Sequence, residues 1–539
     1  MFRLIHKHYI IIVIAALLAY SIIAIYNTSF IIHGIRYFTA SDDEMIGMRY
    51  AYNFIHGYGL VWNPAGEHVE GISNPLWVFY MALIHLLPIS AAKISLVVQI
   101  SATLCLAISL FFVKKISELL SNSSLFVGIT SVLFAAFYFP LINWSVIHGT
   151  EVGLLTLLLT WCTFLALHAV KTKTFSLKLF ILLGIGTLVR MDFIVFAAVI
   201  SGYLLIFDLK NRKRYLTVGI PIVLLFVATQ TILRLWYYHD FLPNTYYDKV
   251  SGYPILRRIT RGFYVAIKAH LPTVMSANLL LFCAPFIYTY FTKNKQLLLL
   301  LALFTAQNIY SIYTGGDVWE YYGGANRFVA PAMPLFMICL VMILFHIKNN
   351  LKSYSINHRI SFKIIGLATI CLIWLILNRG NEHELQYLFL MQKPITATDN
   401  PSRVEGAYCL NSVTKPGAKI ALASNGIVAY LTPGRFFIDE LGKTEKTIAH
   451  EPTKDKPQFW STLDKYTSFM PGHMKWDYPY IVQKYRPDVF MEIYQRQGYD
   501  HNDQYVLQHG YTKMKNSEGC IYYFLKESPN VIWKNLKKI

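Results

Sequence analysis

Long apolar runs alternate with short polar loops from Met1 to about Leu377, and from Asn378 onward the chain resembles an ordinary soluble domain. A helix that crosses a bilayer needs about 20 predominantly apolar residues. The pattern predicts a membrane domain over residues 1–379 and a soluble domain over residues 380–539. About eleven spanning helices are predicted, at residues 9–29, 92–113, 124–143, 150–169, 176–189, 192–208, 216–237, 277–292, 296–313, 328–347 and 362–379.

The amino-acid composition indicates a membrane protein and argues against nucleic-acid binding. Hydrophobic residues make up 55% of the chain and charged residues 15%, whereas about 25% charged residues is usual in soluble proteins. The formal net charge is +19, but Lys and Arg concentrate in the short loops between apolar runs, where they set membrane topology. We therefore expect the lipid bilayer as a partner, and no nucleic acid.

The basic N-terminus, MFRLIHKHY, precedes an apolar stretch without a cleavage site, which predicts a first spanning helix with a cytoplasmic N-terminus. From that start, nearly every basic loop falls on the inner side, as the positive-inside bias requires, except the segment Leu256–Lys268. The apolar segment Pro75–Leu87 is short, and we interpret it as an interfacial or re-entrant helix on the outer side. An odd number of crossings then places the C-terminal domain outside the cytoplasm.

Under this topology, the outer side collects the polar segments that lipid contact does not explain. Polar groups near a bilayer are costly, so they usually line a cavity or pair with one another. We therefore expect the functional surface on the outer side. The segments are Ser41–Asn74, Trp144–Glu151, Val189–Asp192, His239–Lys249 and Tyr313–Arg327.

The first outer loop predicts a short surface helix with acidic residues at its start. Ser41 and Glu44 match a capping box, and Gly57 is suited to end the helix. The helix dipole favours an acid such as Asp42 or Asp43 in the first turn by about 0.3–1 kcal/mol. It explains one acid better than three successive ones, so a catalytic or metal-binding role stays open beside the structural one.

The remaining outer polar residues have two interpretations as well. Arg190 and Asp192 suit an interfacial anchor or an ion pair between helices, and Glu151 suits the dipole of the helix that follows it. Asp317 and Arg327 enclose a glycine-rich segment, whose paired glycines permit close backbone approach. Each of these residues is also a candidate for a polar cavity.

The soluble domain predicts a small α/β fold that is suited to cover the membrane cavity or to bind an acceptor glycan. If this domain lies outside the cytoplasm, Cys409 and Cys520 can form a disulfide. The predicted elements are strands at Lys419–Ser424, Arg435–Asp439 and Asp488–Ile493, a helix at Tyr478–Tyr485 and a hairpin over Tyr511–Phe524.

The loop SDDEMIGMRYAYNFIHGYGLVWNPAGEHVEGISNPLW, residues 41–77, resembles the first periplasmic loop of the mycobacterial terminal arabinofuranosyltransferases and their bacterial relatives. These belong to the GT-C superfamily of polyprenyl-phosphate-sugar-dependent glycosyltransferases. The chain departs from the family at Ile72-Ser73, Thr150 and Met191, which leaves the acceptor open. Further matches, in the same order, are HGTE at 148–151, LVRMD at 188–192, LPNTYYDK at 242–249, GGD at 315–317, RFVAPAMP at 327–334, FIDELGKTEKTIAH at 437–450 and GHMKWDYPYIVQKYRPDV at 472–489.

The resemblance implies a GT-C fold in a bacterial inner membrane, with interfacial helices in the first periplasmic loop and a periplasmic C-terminal α/β domain. It implies an enzyme that moves a pentose, arabinofuranose in this family, from a polyprenyl phosphate donor to a glycan or glycoprotein acceptor. It places Asp42 and Asp43 in the active site, where a carboxylate can activate the acceptor hydroxyl as general base.

The developing charge on the leaving lipid phosphate requires cations. A divalent metal, Mg²⁺ or Ca²⁺, stays open as a cofactor. The candidates for holding the donor phosphate are Arg49, Arg190, Lys249 and Arg327. The candidates for binding substrate are Glu70, Asn74, Trp77, His148, Glu151, Asp192, Asn244, Tyr246, Asp317, His473 and Lys475.

Two rival function classes remain. A transporter or flippase of lipid-linked sugar predicts ionisable residues at mid-membrane and repeat symmetry, and neither is evident in the sequence. A non-catalytic scaffold or receptor predicts glycan affinity without donor binding. Cell-wall arabinan, lipopolysaccharide and a pilin or other protein glycan all stay open as acceptors.

Overall fold

The computed structural model describes residues 2–270, 278–320, 326–351, 359–378, 383–423, 426–453, 469–495 and 502–539. By packing, the chain divides into two compact units, each built from three separated segments. The first unit comprises Met1–Thr28, Gln99–Thr229 and Gly262–Ile395. The second unit comprises Ser29–Val98, Gln230–Arg261 and Thr396–Ile539. The predicted domain boundary at residues 379 and 380 lies outside the described residues and stays a prediction.

The first unit is helical. Six of the described helices are long and apolar enough to cross a membrane: His8–Thr28, Ile94–Ser121, Val152–Thr172, Leu209–Tyr238, Lys295–Thr314 and Ala330–Asn350. The helices Leu125–Ala136 and Phe139–Ile147, bent by 50° at their junction, make a seventh span if they are counted as one. Shorter apolar helices are Leu177–Val189, Met191–Phe207, Leu281–Thr292 and Gly366–Leu377, and a last short helix is Glu384–Leu388.

These helices coincide with the segments that the apolar pattern predicts, so a polytopic helical fold is confirmed. That the four shorter helices also cross the membrane stays a prediction. The segment Pro75–His85 is a helix of 11 residues. At 1.5 Å per residue it is far shorter than the roughly 30 Å hydrocarbon core, which agrees with its interpretation as a helix that does not cross.

The second unit combines a small sheet domain with shorter helices. Its hairpin pairs β1 (Phe30–Ile32) antiparallel to β2 (Ile35–Tyr37). The remaining strands, β3 (Lys419–Leu422), β4 (Phe436–Asp439), β5 (Val489–Phe490), β6 (Tyr511–Asn516), β7 (Ile521–Leu525) and β8 (Leu536–Lys538), form a six-stranded sheet in the order β4-β3-β5-β7-β6-β8. Its helices are Asp42–Ile55, Pro75–His85, Asn244–Lys249, Ile395–Thr398, Asn400–Val413, Gly426–Leu431, Lys446–His450, Tyr478–Tyr480 and Asn502–Gln508. The helices Ile94–Ser121, Leu209–Tyr238, Ile255–His270 and Ile395–Thr398 have residues in both units.

The predicted α/β fold of the C-terminal region is confirmed. Apolar residues on β3, β4 and β5 are fully buried and pack with aromatic residues of the segment that follows residue 475. The predicted hairpin forms β6 and β7, which pair antiparallel. The edge strand β8 was not predicted from the sequence, because only one of its three residues is apolar.

The sheet has a parallel half that positions the candidate site. Strand β3 pairs parallel to β4, with Lys419 opposite Phe436, and parallel to β5. The carboxyl ends of β3 and β4 therefore meet at one edge, which is where open α/β sheets usually bind ligands. The chain leaves β4 through a turn at residues 439–444, and the short helix Gly426–Leu431 follows β3.

A disulfide joins Cys409 to Cys520 within the second unit, with a Cα–Cα distance of 6.4 Å. Cys409 lies on the helix Asn400–Val413, and Cys520 lies in the turn between β6 and β7. The pairing that the sequence left open is therefore present in the structure.

Candidate functional site

The helix Asp42–Ile55, in the loop that follows the first predicted span, starts as the sequence predicts. Ser41 has extended backbone angles, and its hydroxyl accepts a hydrogen bond from the backbone N–H of Glu44 at 3.3 Å. Gly57, just beyond the helix end, has φ +81°. This cap fixes the first turn, so the carboxylates of Asp42 and Asp43 are held at the helix start.

Asp42 connects this helix to the residues that follow β3 through a hydrogen bond and an ion pair. Its carboxylate accepts a hydrogen bond from the backbone N–H of Ile427 at 3.0 Å and lies 3.4 Å from the guanidinium of Arg403. A Cβ on Gly426 would lie 1.8 Å from the backbone oxygen of Asp42. Only glycine permits this approach, so Asp42 is an integral part of the packing at the carboxyl end of β3.

Asp43 instead contacts the residues that follow β4. Its carboxylate lies 3.0 Å from the ammonium of Lys443, which is 9% exposed. Burial lowers the pKa of Lys443, but the charges of Asp43 and Asp439 outweigh burial and raise the pKa above its usual value. Lys443 is therefore a fixed positive charge beside Asp43.

The turn that carries Lys443 is held from two sides. The carboxylate of Asp439 accepts hydrogen bonds from the backbone N–H groups of Leu441 and Thr444 at 2.9 and 2.8 Å. The side-chain amide of Asn244 donates to the backbone oxygens of Gly442 and Lys443 at 2.7 and 2.9 Å. Asn244, a predicted substrate contact, thus positions the turn.

Asp248 lies in the same region, four residues after Asn244. Its side chain is fully buried, and neither carboxylate oxygen has a hydrogen-bond partner among the described residues. Burial raises the pKa of Asp248 to about 7, although the charges of Lys249 and Lys443 oppose the shift. A buried carboxylate without partners is rare in folded proteins and is typical of functional sites.

His473 lies beside these charged side chains. A Cβ on Gly472 would lie 2.9 Å from Asp248 Oδ2 and 3.3 Å from the side chain of Lys249, so the chain passes directly against both residues here. Burial and the charge of Lys443 lower the pKa of His473 to about 3, so its imidazole is neutral at neutral pH. We define the charge cluster as Asp43, Asp248, Lys249, Lys443 and His473.

Lys475 is buried near the charge cluster, but its donors are already used. Its ammonium donates to the backbone oxygens of Tyr247, Ser251 and Ala449 at 2.9, 2.9 and 2.6 Å. Burial lowers its pKa to about 8. These contacts favour a role in holding the helix Asn244–Lys249 in place, and the predicted substrate contact stays a prediction.

Arg49 is also engaged in packing. Its guanidinium is 1% exposed and donates to Trp62 O at 2.8 Å, to Asn63 Oδ1 at 3.2 Å, and to the backbone oxygens of Ala429 and Arg435. These bonds join the helix Asp42–Ile55 to the residue before β4 and to the helix Gly426–Leu431. They favour a structural role, and phosphate binding by Arg49 stays a prediction.

The other predicted residues of the second unit surround this packing. Glu70 accepts hydrogen bonds from the guanidinium of Arg234, and its backbone oxygen accepts from Asn244 N at 3.1 Å. The amide of Asn74 lies 3.4 Å from Glu44 Oε1. Trp77 is 3% exposed, and Tyr246 is half-buried on the helix Asn244–Lys249.

The first unit holds a second group of predicted residues. Arg190 donates to both carboxylate oxygens of Asp192 at 2.7 and 3.0 Å, and to Glu151 Oε1 at 3.0 Å. Gln307 donates to Asp192 Oδ2 at 3.2 Å. The prediction of an Arg190–Asp192 ion pair is confirmed, and donor-phosphate binding by Arg190 stays a prediction.

Asp317 and Arg327 pair within the first unit as well. The guanidinium of Arg327 lies 3.0 Å from Asp317 Oδ2 and 5.6 Å from the ring of Trp144. His148 is fully buried, with its ring 5.5 Å from that of Trp144. Residues 321–325 of this glycine-rich segment lie outside the described residues.

The structure therefore separates the predicted residues into two sets. Asp43, Lys249 and His473 join the charge cluster, whereas the predicted residues numbered 148–192 and 317–327 belong to the first unit. Sequence reasoning missed Asp248, Lys443 and Arg403. Asp248 and Lys443 lie inside the motifs LPNTYYDK and FIDELGKTEKTIAH, which was the available signal.

A divalent metal does not fit the charge cluster. Among the described residues, no group of three or more His, Cys, Asp or Glu side chains is arranged to hold a metal ion. The carboxylate of Asp43 already contacts the ammonium of Lys443, and His473 lies within range of the positive charges of Lys443 and Lys249 as well as the negative charge of Asp43. Cationic side chains therefore occupy the surroundings that a metal would need.

Known proteins are similar to part of this chain in sequence and to most of it in fold. A family model described as a domain of unknown function (DUF8728) matches residues 397–528. No curated protein matches the chain. The matched residues make up most of the third segment of the second unit.

Two groups of solved structures are similar. ArnT from Cupriavidus metallidurans, bound to undecaprenyl phosphate, is 10% identical with a TM-score of 0.52, over 83% of this chain and 88% of that chain. The archaeal oligosaccharyltransferase AglB from Archaeoglobus fulgidus, in complex with an inhibitory peptide and a dolichol-phosphate, is 10% identical with a TM-score of 0.53, over 98% of this chain and 76% of that chain. At such identity the likeness shows the fold, and the predicted GT-C fold is confirmed.

Proposed function

We propose that the chain is a membrane glycosyltransferase that moves a sugar from a polyprenyl phosphate to an acceptor hydroxyl. The observation that carries this proposal is the charge cluster, where Asp43 of the first loop, Asp248 and Lys443 converge in one buried region of a GT-C fold. Structures of similar fold bind undecaprenyl phosphate and dolichol-phosphate, which supports a lipid phosphate donor.

The charges of the cluster suit this transfer. The acceptor oxygen attacks the anomeric carbon, and the bond between that carbon and the phosphate oxygen breaks. The acceptor proton passes to the carboxylate of Asp43, and the lipid phosphate leaves as an anion. Lys249 is the donor-phosphate candidate that lies in the cluster, where an ammonium offsets the developing negative charge.

The sugar is a pentose, arabinofuranose, in this proposal. The support is the resemblance of residues 41–77 to the first loop of the terminal arabinofuranosyltransferases. The acceptor is a glycan or glycoprotein, and the C-terminal α/β domain is proposed to bind it or to cover the site.

The site is proposed to face the periplasm of a bacterial inner membrane. The disulfide Cys409–Cys520 supports this orientation, because such bonds persist in oxidising compartments. The helix Pro75–His85 is proposed to lie at the membrane interface. Leu83 on this helix and Leu86 just beyond its end are 65% and 67% exposed. Such exposed apolar side chains suit contact with lipid better than contact with water.

Purified protein in lipid nanodiscs tests the proposal. Synthetic polyprenyl-phosphoryl arabinofuranose and arabinan, lipopolysaccharide or glycopeptide acceptors are supplied, and product glycan and released lipid phosphate are quantified together. We expect product glycan and lipid phosphate to form in equimolar amounts. Polyprenyl-phosphoryl hexoses, supplied as alternative donors, test the specificity for a pentose. Donor movement across reconstituted vesicles without a new glycosidic bond would instead identify a flippase.

A separate measurement identifies the acceptor in the cell. Mass spectrometry of cell-envelope glycans from a deletion strain should show the loss of one pentose-containing structure. Unchanged envelope and protein glycans would argue against the proposed role in the cell.

A further inference from the structure

Lys443 is bound on its side chain and on its backbone. Its ammonium lies 3.0 Å from Asp43 Oδ1. Its backbone oxygen accepts from Asn244 at 2.9 Å, and a Cβ on Gly71 would lie 3.1 Å from the same oxygen. Residues of all three segments of the second unit therefore position this one side chain.

Two further carboxylates act on the same ammonium. The charges of Asp439 and Asp248 both raise the pKa of Lys443. Asp439 uses its oxygens to hold the turn, whereas both oxygens of Asp248 have no hydrogen-bond partner among the described residues. Lys443 is thus a buried cation among three acids contributed by different segments.

We infer that Lys443 is the resident cation of the transfer site, so that sugar transfer proceeds without a divalent metal. This inference rests on the proposed function. Its basis is the contact of Lys443 with Asp43, its fixed backbone, and the unsuitability of the surrounding side chains for holding a metal ion.

Lys443 is a positioning residue in this scheme, because it acts through Asp43. An adjacent positive charge keeps a carboxylate ionised to lower pH. Asp43 is then ready to accept the proton of the acceptor hydroxyl. Asp248, buried nearby with its pKa raised to about 7, offsets part of the charge of Lys443 within the fold.

The first experiment uses the unmodified protein. Transfer is measured after exhaustive EDTA treatment and again with added Mg²⁺, Ca²⁺ or Mn²⁺, and calorimetric titration measures binding of the same ions. We expect the rate to stay within about twofold and no stoichiometric ion binding. Loss of transfer in EDTA with recovery on adding one ion would overturn the inference but leave the glycosyltransferase proposal intact. No transfer with any donor, with or without metals, would overturn the proposed function itself.

The second experiment uses variants at neighbouring lysines. K443M should lower kcat/KM by about 100-fold or more and should move the acid limb of the pH–rate profile to higher pH, because Asp43 loses its cation. K443R should restore most of the rate and the original acid limb. K446M is the matched control, because Lys446 pairs with Asp240 at 2.8 Å outside the cluster and should leave both quantities unchanged.

Thermal unfolding is measured for each variant. If K443M does not fold, the rate and acid limb of K443R and the EDTA measurement on the wild type test the inference instead. An unshifted acid limb and a normal rate in folded K443M would contradict the inference, as would a metal-dependent wild-type rate.

Discussion

The two units contain buried charges of different kinds. In the first unit, Arg190 contacts both oxygens of Asp192 and one oxygen of Glu151, all within 3.0 Å. In the second unit, Lys443 contacts Asp43, while the fully buried Asp248 has no hydrogen-bond partner among the described residues. The first group is a satisfied ion network, and the second is an incomplete one.

This difference helps to separate structural charges from functional ones. A buried charge that is paired and hydrogen-bonded changes the free energy of unfolding little. Removing only one partner of the pair is destabilising. A buried carboxylate without partners is costly to keep, so a folded protein retains it where chemistry or binding requires it. We therefore expect variants in the first unit to affect stability and variants in the charge cluster to affect activity.

The largest expected effect is on the rate of transfer. D43N should lower kcat, measured per folded molecule, by about 10²–10⁴-fold, the usual contribution of a general base. D42N should be less damaging to the rate per folded molecule, because Asp42 is bound to Ile427 N and Arg403. The assay is transfer from polyprenyl-phosphoryl arabinofuranose. Equal, full activity of D43N, D42N and the double variant would rule out a catalytic carboxylate here.

Breaking the satisfied network should instead destabilise the protein. R190M leaves Glu151 and Asp192 buried without their cation, and such losses cost about 3–5 kcal/mol. Chemical unfolding in detergent measures the free energy, and R190K is the control that keeps the charge. An R190M protein that is stable but inactive would move Arg190 into the functional set and contradict the comparison.

Asp248 should make stability depend on pH in a defined direction. Its pKa is raised by burial to about 7, so its contribution to stability is complete below about pH 4 and is lost as the pH rises through about 7. At about 1.4 kcal/mol per pKa unit, the upper limit is about 4 kcal/mol. D248N should remove this part of the pH dependence and melt higher than the wild type at pH 8, with lower transfer activity.

Thermal unfolding of wild type and D248N at several pH values between 4 and 8 provides the measurement. D240N, which alters an acid outside the cluster, is the control. Parallel pH profiles for D248N and the wild type would mean that folding does not raise the pKa of Asp248, and that Asp248 is not the incomplete charge described above.

The smallest expected effect is at the edge of the sheet. Asn63 pairs with the backbone of Phe437 on β4, donating at 2.7 Å and accepting at 2.9 Å. N63A leaves these buried groups without partners, and we expect a loss of about 1–3 kcal/mol in stability. E67Q, at an exposed side chain nearby, is the control in the same unfolding assay. A neutral N63A would show that the first loop does not depend on this edge.

Much of the fold was predictable because its signals are local. Apolar runs predicted the membrane helices, Ser41 and Glu44 predicted the start of their helix, and the segment Tyr511–Phe524 was predicted as a hairpin. Each of these depends on residues within about 20 positions of one another. The strand β8 was missed because most of its three residues are polar.

The site was predicted less completely, because charge alone does not reveal contacts. Arg49 and Lys475 were expected to bind substrate, yet both donate to several buried backbone oxygens. Asp248 and Lys443 were overlooked, although both lie in motifs that the resemblance covers. Their importance depends on burial and pairing, which the sequence does not display.

The sequence by itself determined a membrane protein with many helices, a C-terminal α/β domain and the acids at the start of the first-loop helix. These follow from hydropathy, helix capping and short strand-like segments, which all depend on near neighbours in the chain. Only the tertiary structure decided that residues 43, 248 and 443 meet in one buried cluster. Their separation exceeds the range of any local pattern, and the low exposure that couples their charges arises only when the three segments pack together.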